Sequence, residues 1–163
     1  MANTHTLIDI KSGKADSALA IAMRYGNKPD ALLEILHDVQ AELGFVPESS
    51  LPAIANALNI SRAEAYGVAT FYHDFHLKPT GKHVIKLCRA EACQSAGGRE
   101  LQSAVEKFLK IKVGETSADG LITLEATYCL GLCASGPAIM VNGRPAARVD
   151  STKAKSIIEG LRA

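Results

Sequence analysis

The four cysteines of this chain fall in two close pairs, and that pattern limits what the chain can fold into. Cys88 and Cys93 have four residues between them, Cys129 and Cys133 have three, and thirty-five residues separate the pairs. That interval has the length and pattern of one helix and one strand. A fold that brings the two loops together places four thiolates around one point, the requirement for four-Cys ligation of an iron–sulfur cluster.

Other uses of four cysteines fit less well. Met1–Ser17 carries no apolar run of signal-peptide length and no Arg-rich amphipathic stretch. Nothing later reaches transmembrane length, so no membrane insertion is expected. The expected location is the cytoplasm, where structural disulfides are rare. Structural zinc also takes four thiolates, but its pairs stand at C-x-x-C spacing or close to it; a zinc-binding interaction module stays open as an alternative. A thiol–disulfide enzyme would want C-x-x-C at a helix start. A Rieske centre needs two His ligands, and none lies near Cys93 or Cys133.

The residues around the cysteines suit a negatively charged group. The second loop runs Tyr128-Cys129-Leu130-Gly131-Leu132-Cys133-Ala134-Ser135-Gly136-Pro137. Gly131 and Gly136 allow tight curling and bring N–H groups near sulfur. The first loop, Arg89-Ala90-Glu91-Ala92, leads through Cys93 to Gly97-Gly98 and a helix start, where N–H groups favour negative charge.

Composition narrows the partners. Eighteen basic residues against seventeen acidic ones leave a net charge of +1, without a Lys/Arg stripe interleaved with aromatics. Nucleic acid is therefore not an expected partner.

The chain reads as α+β, in three stretches. Residues 1–14 read as an irregular, flexible N-terminus. Residues 15–78 read as a helical bundle. Leu32, Ile35, Leu36, Val39 and Leu43 mark one helix face, ended by Gly44. Ser50 reads as the cap of a helix to Leu58, and Ser61-Arg62-Ala63-Glu64 as a capping box. After Pro79-Thr80-Gly81 the pattern changes, and residues 82–163 read as a compact α/β domain of thioredoxin type. Val84–Leu87 is a strand delivering Cys88. Leu101, Ala104, Val105, Phe108 and Leu109 form a helical stripe. Ile122, Leu124, Ala126 and Tyr128 alternate along a strand delivering Cys129. Asn142-Gly143 signals a hairpin between strands at 138–141 and 146–149. Ser151 reads as the cap of the last helix. Pro137 resembles the loop proline of thioredoxin folds, which is cis.

His73 and His76 would share a face if their helix continued, but no third metal ligand follows at helical spacing. No G-x-G-x-x-G follows a strand, and Pro137-Ala138 stands where a phosphate loop needs Lys-Ser/Thr.

Taken together, Gly67-Val68-Ala69-Thr70-Phe71-Tyr72, the Cys88/Cys93 pair and Cys129-Leu130-Gly131-Leu132-Cys133 with its Gly136-Pro137 resemble the 24-kDa subunit family of respiratory NADH dehydrogenase. The resemblance covers roughly residues 18–161. It implies a helical N-terminal part followed by a thioredoxin-like ferredoxin domain with one [2Fe-2S] cluster, held by Cys88, Cys93, Cys129 and Cys133. Leu87–Ser95 and Cys133–Pro137 are most similar to the gamma subunit of molybdenum-containing, NAD-dependent formate dehydrogenase. This implies a non-catalytic electron-transfer role between a flavin- and NADH-binding subunit and a larger molybdenum-containing catalytic subunit. Equivalent subunits of complex I or of an NAD-linked hydrogenase are the alternatives.

Overall fold

The computed structural model describes residues 4–162; for residues 4–12 and Lys14 it describes the backbone alone. The chain divides into two compact units, Met1–Pro79 and Thr80–Ala163.

The first unit is helical. It comprises α1 (Thr4–Arg24), α2 (Leu32–Leu43), α3 (Leu51–Ala57) and α4 (Arg62–Phe71). The expected α2 face buries Leu32, Ile35, Leu36 and Val39, and Gly44 closes the helix at φ 80°. The predicted capping box opens α4: Ser61 Oγ accepts from Glu64 N–H while Glu64 accepts from Ser61 N–H. The buried α2 residues pack with Ile21, Val46, Leu51, Ile54 and Leu58 into one core. Leu and Ile buried this way contribute about 1.5–3 kcal/mol each relative to exposure. Beyond α4, the Gln40 side chain donates to Asp74 O and accepts from His76 N–H, both at 2.7 Å.

Two expectations for this unit are corrected. Of the stretch read as irregular, residues 4–14 are instead the first turns of α1, and residues 1–3 lie outside the described residues. No proline interrupts Thr4–Arg24, and once a helix is nucleated each further residue adds a hydrogen bond at little cost. Ser50 does not cap α3; its hydroxyl donates to Pro47 O at 2.6 Å.

The second unit holds a four-stranded sheet in the order β2-β1-β3-β4. Its strands are β1 (His83–Cys88), β2 (Ile122–Thr127), β3 (Ile139–Val141) and β4 (Arg144–Ala146). β1 and β2 are parallel, with His83 opposite Ile122 and Cys88 opposite Thr127. β3 runs antiparallel to β1, and the Asn142-Gly143 turn joins it to β4. Between β1 and β2 lie a single helical turn, α5 (Glu91–Cys93), and a long helix, α6 (Arg99–Leu109); α7 (Ser151–Arg162) follows β4. The α6 stripe buries Leu101, Val105 and Leu109 against Ile85, Leu87, Ile122, Leu124 and Ile158.

Three details differ from the sequence reading. β4 occupies 144–146 rather than 146–149, because Arg148 takes φ 51° and Val149 N–H bonds to Pro137 O instead of extending the ladder. Asp150, not Ser151, caps α7, its carboxylate accepting from Lys153 N–H at 2.8 Å. The expected β2 alternation is absent, Ile122, Thr123 and Leu124 all being buried and residues 125–127 half-buried, and Tyr128 lies beyond the strand, 70% exposed.

Candidate metal centre

The parallel pairing of β1 and β2 decides where the cysteines go. Parallel neighbours end at the same edge of a sheet, so Cys88, the last residue of β1, and Cys129, two residues past β2, leave from one side. Arg89 N–H bonds to Thr127 O at 2.7 Å, carrying the pairing one step further, and on the other flank Cys88 N–H bonds to Ala138 O at 3.1 Å. Cys88 is thus held from both neighbouring strands.

Cys93 sits on α5. Gln94 N–H returns to Ala90 O at 3.0 Å, and the Gln94 amide donates to Arg89 O at 2.9 Å, fixing this turn against the strand end. Gly98 lies so close that a Cβ there would stand 2.6 Å from Cys93 O. The Gly136–Pro137 peptide is cis, as expected from the resemblance to the thioredoxin loop.

The second pair rides on an irregular loop. Cys129 has φ 103°, a backbone region sparsely populated by residues other than glycine. Such conformations cost on the order of 1–3 kcal/mol and persist where their surroundings enforce them. Gly131 follows at φ 77°, and its N–H points at Cys129 Sγ at 3.4 Å. Cys129 Sγ and Cys133 Sγ are 3.5 Å apart.

The two loops meet. Leu130 and Leu132 of the second pack against buried Cys88 and Cys93 of the first, with Ala138, which follows Pro137, in the same cluster. All four cysteines are free of disulfides; Cys88 and Cys93 are buried, Cys129 and Cys133 exposed. Among the described residues, no three His, Cys, Asp or Glu side chains are gathered as a site for a single metal ion. The thiols stand as two pairs, and His73 and His76, past the end of α4, join no such group.

Electrostatics tie the pairs together. Burial pushes the Cys88 thiol up, but the N–H groups of Ala90, Leu130 and Cys129 and the Cys93 thiol outweigh it, and Cys88 lies below the ordinary thiol pKa. Cys93 is raised, by burial first and then by the Cys88 thiol. Cys133 is raised by its hydrogen bond to Cys129 and by the charge there, with a further contribution from Cys88 across the loops. In the first pair Cys88 is therefore the thiol that ionises more readily. The thiol-rich, N–H-lined surroundings match what a cluster of irons and sulfides demands of its ligands. Arg89 adds a buried Nε–H without a hydrogen-bond partner in the protein.

The sequence marked the four cysteines but not their backbone donors, Ala90 and Leu130. The signal was available in Cys-Leu-Gly-Leu-Cys, where two leucines in an otherwise exposed loop must turn inward.

Comparison with known proteins fits this geometry. The family model described as thioredoxin-like [2Fe-2S] ferredoxin matches residues 18–162. The chain belongs to that family. Its fold is the thioredoxin-like ferredoxin fold and its cofactor a [2Fe-2S] cluster. One subunit of the NADH-quinone oxidoreductase of Escherichia coli (strain K12) is 42% identical over 118 residues, spanning 72% of this chain and 71% of that protein. A like-named subunit of the Rhizobium meliloti (strain 1021) NADH-quinone oxidoreductase is 33% identical over 144 residues, spanning 88% and 86%. Among solved structures, an NAD+-reducing [NiFe]-hydrogenase in the air-oxidized state aligns with a TM-score of 0.70 at 27% identity over 81% of this ferredoxin. The aligned part is 23% of that hydrogenase chain.

Proposed function

We propose that this ferredoxin is the electron-carrying subunit of an NAD-dependent oxidoreductase complex, with Cys88, Cys93, Cys129 and Cys133 as the ligands of its cluster. The observation that carries the reading is the convergence of two thiol pairs at one sheet edge, within a fold whose relatives are named as subunits of NADH-linked enzymes. When bound, a four-thiolate [2Fe-2S] cluster takes up and releases one electron at low potential. The protein's part is to hold and to shield. The paired arrangement suits two thiolates per iron, Cys88 with Cys93 and Cys129 with Cys133. The N–H groups of Ala90, Leu130 and Gly131, aimed at thiol sulfur, offset negative charge that burial would otherwise make costly. The Cys129–Cys133 side is the exposed one, and a redox partner can approach it.

Within this class the parent complex is an NAD-dependent formate dehydrogenase. Leu87–Ser95 and Cys133–Pro137, which carry three of the four thiols, support that reading by their likeness to its gamma subunit. The partners would then be a flavin- and NADH-binding subunit and a larger molybdenum-containing catalytic subunit, and no substrate chemistry falls on this chain. The relatives named above favour a second reading, a subunit of complex I or of an NAD-linked hydrogenase. The helical unit would serve docking: Phe71, at the end of α4, is 73% exposed, with Tyr66 and Tyr72 exposed nearby.

The test is to purify the chain with whatever accompanies it. About two irons and two acid-labile sulfides per chain, with an EPR signal on reduction, are expected. Zinc without sulfide sinks the cluster assignment. Formate-dependent NAD reduction by the copurified complex supports the formate reading; hydrogen- or quinone-linked activity without it transfers the chain to the second reading.

A further inference from the structure

A groove of about 720 Å³ lies between α6 and α7, lined by neither thiol loop. Ala104 and Phe108 of α6, half-buried above the core residues Val105, Ala154 and Ile158, give it an apolar floor, and Lys107, Lys110 and Lys155 stand around it. No carboxylate is among its lining residues. In a chain of net charge +1, three ammonium groups about one apolar cleft are a local excess. Lys107 and Lys110 offset the dipole at the C-terminal end of α6, a role that needs no cleft. Among the described residues neither makes an ion pair. Lys155 stands 5.7 Å from the centre of the Phe108 ring and 3.8 Å from Glu159 Oε1, a long, exposed pairing of little strength. Nearby carboxylates are engaged elsewhere, Glu106 with Lys112 at 2.8 Å and Asp150 at the start of α7.

We propose that this groove docks an acidic segment of a protein partner, one aliphatic or aromatic side chain seated on Ala104 and Phe108 and flanking carboxylates on Lys107, Lys110 and Lys155. Charge complementarity selects an acidic occupant, and the apolar floor requires more than a bare anion. That the occupant is protein rests on the proposed function, which makes this chain one subunit among several. The groove is a contact additional to the exposed thiol face.

The complex purified with its native partners is treated with a carbodiimide, which joins Lys Nζ to a carboxylate only where the two touch. Peptides linking Lys107, Lys110 or Lys155 to Asp or Glu of a partner chain are expected. The triple variant Lys107→Glu, Lys110→Glu, Lys155→Glu, with unchanged circular dichroism and visible spectrum, is expected to bind that partner roughly tenfold more weakly or worse, by an amount that shrinks at high salt. A partner that copurifies without coupling at these lysines overturns the groove and leaves the electron-transfer reading standing. Coupling only to a second copy of this chain overturns it too. So does lysine-dependent binding to phosphatidylglycerol vesicles with no coupling to protein. Purification with no partner overturns both readings.

Discussion

The two thiol pairs share residue type and nearly share spacing, yet they are built differently. Cys88 and Cys93 are 6% and 2% exposed, one at the end of a paired strand and one on a helical turn closed by Gly98. Cys129 and Cys133 are exposed, on a loop that needs a left-handed cysteine and a left-handed glycine. The first pair is positioned by regular hydrogen bonding and core packing. The second is positioned by Leu130 and Leu132 folding down onto the first. One half of the site is a rigid template and the other a clasp laid over it. Frame and clasp should fail in different ways.

The largest expected difference is in cluster loading. Cys88→Ser or Cys93→Ser puts a harder, weaker ligand where solvent cannot substitute for it, and acid-labile sulfide should fall to near background. Cys129→Ser or Cys133→Ser should retain a measurable fraction, raised by added small thiol, because an outside ligand can reach that side. Equal losses across all four variants, by iron and sulfide analysis with EPR, would erase the distinction.

Next comes the backbone. Gly98→Ala drives a Cβ to within 2.6 Å of the Cys93 carbonyl oxygen, a backbone atom, and should cost about 1–3 kcal/mol by urea unfolding of the metal-free chain. Gly131→Ala meets nothing within 4 Å and strains only its own φ of 77°, for roughly 1 kcal/mol. A larger loss at Gly131 than at Gly98 would reverse the assignment of frame and clasp.

The smallest effect concerns protons. In the metal-free chain Cys133 has a raised pKa, so at a given pH less of it is thiolate than in an ordinary exposed cysteine. Since the thiolate is the nucleophile, its alkylation by iodoacetamide, followed by mass spectrometry, should be slower than that of a model thiol below the ordinary thiol pKa, and the gap should close as pH rises through the raised value. Removing the neighbour in Cys129→Ala should speed it. An unchanged rate in that variant would detach the raised pKa from the pairing.

Much of this was legible in the sequence because the relevant forces are local. The α2 stripe, the Gly44 stop, the Ser61–Glu64 box and the Asn142-Gly143 turn each depend on residues a few positions apart, and each forms as read. The convergence of Cys88 and Cys129 was legible once both were placed after strands of one parallel pair. What escaped depends on distant partners. The end of β4 is set by Pro137 O, twelve residues back, capturing Val149 N–H. Ser50 escaped for a local reason instead: Pro47 O, three residues back, competes for its hydroxyl with the helix start. The first turns of α1 escaped because Thr4–Lys14 carries too little apolar periodicity to announce a helix that its neighbour sequence propagates.

The register that aligns Cys88 with Thr127 also sets a timetable. A ribosome releases half of the proposed sulfur donors well before the other half, and no edge exists for them to share until the later strand has docked beside the earlier one. Whatever delivers iron and sulfide must therefore wait for a finished sheet, and a lesion that delays that docking starves the chain of its metal even when every cysteine is intact.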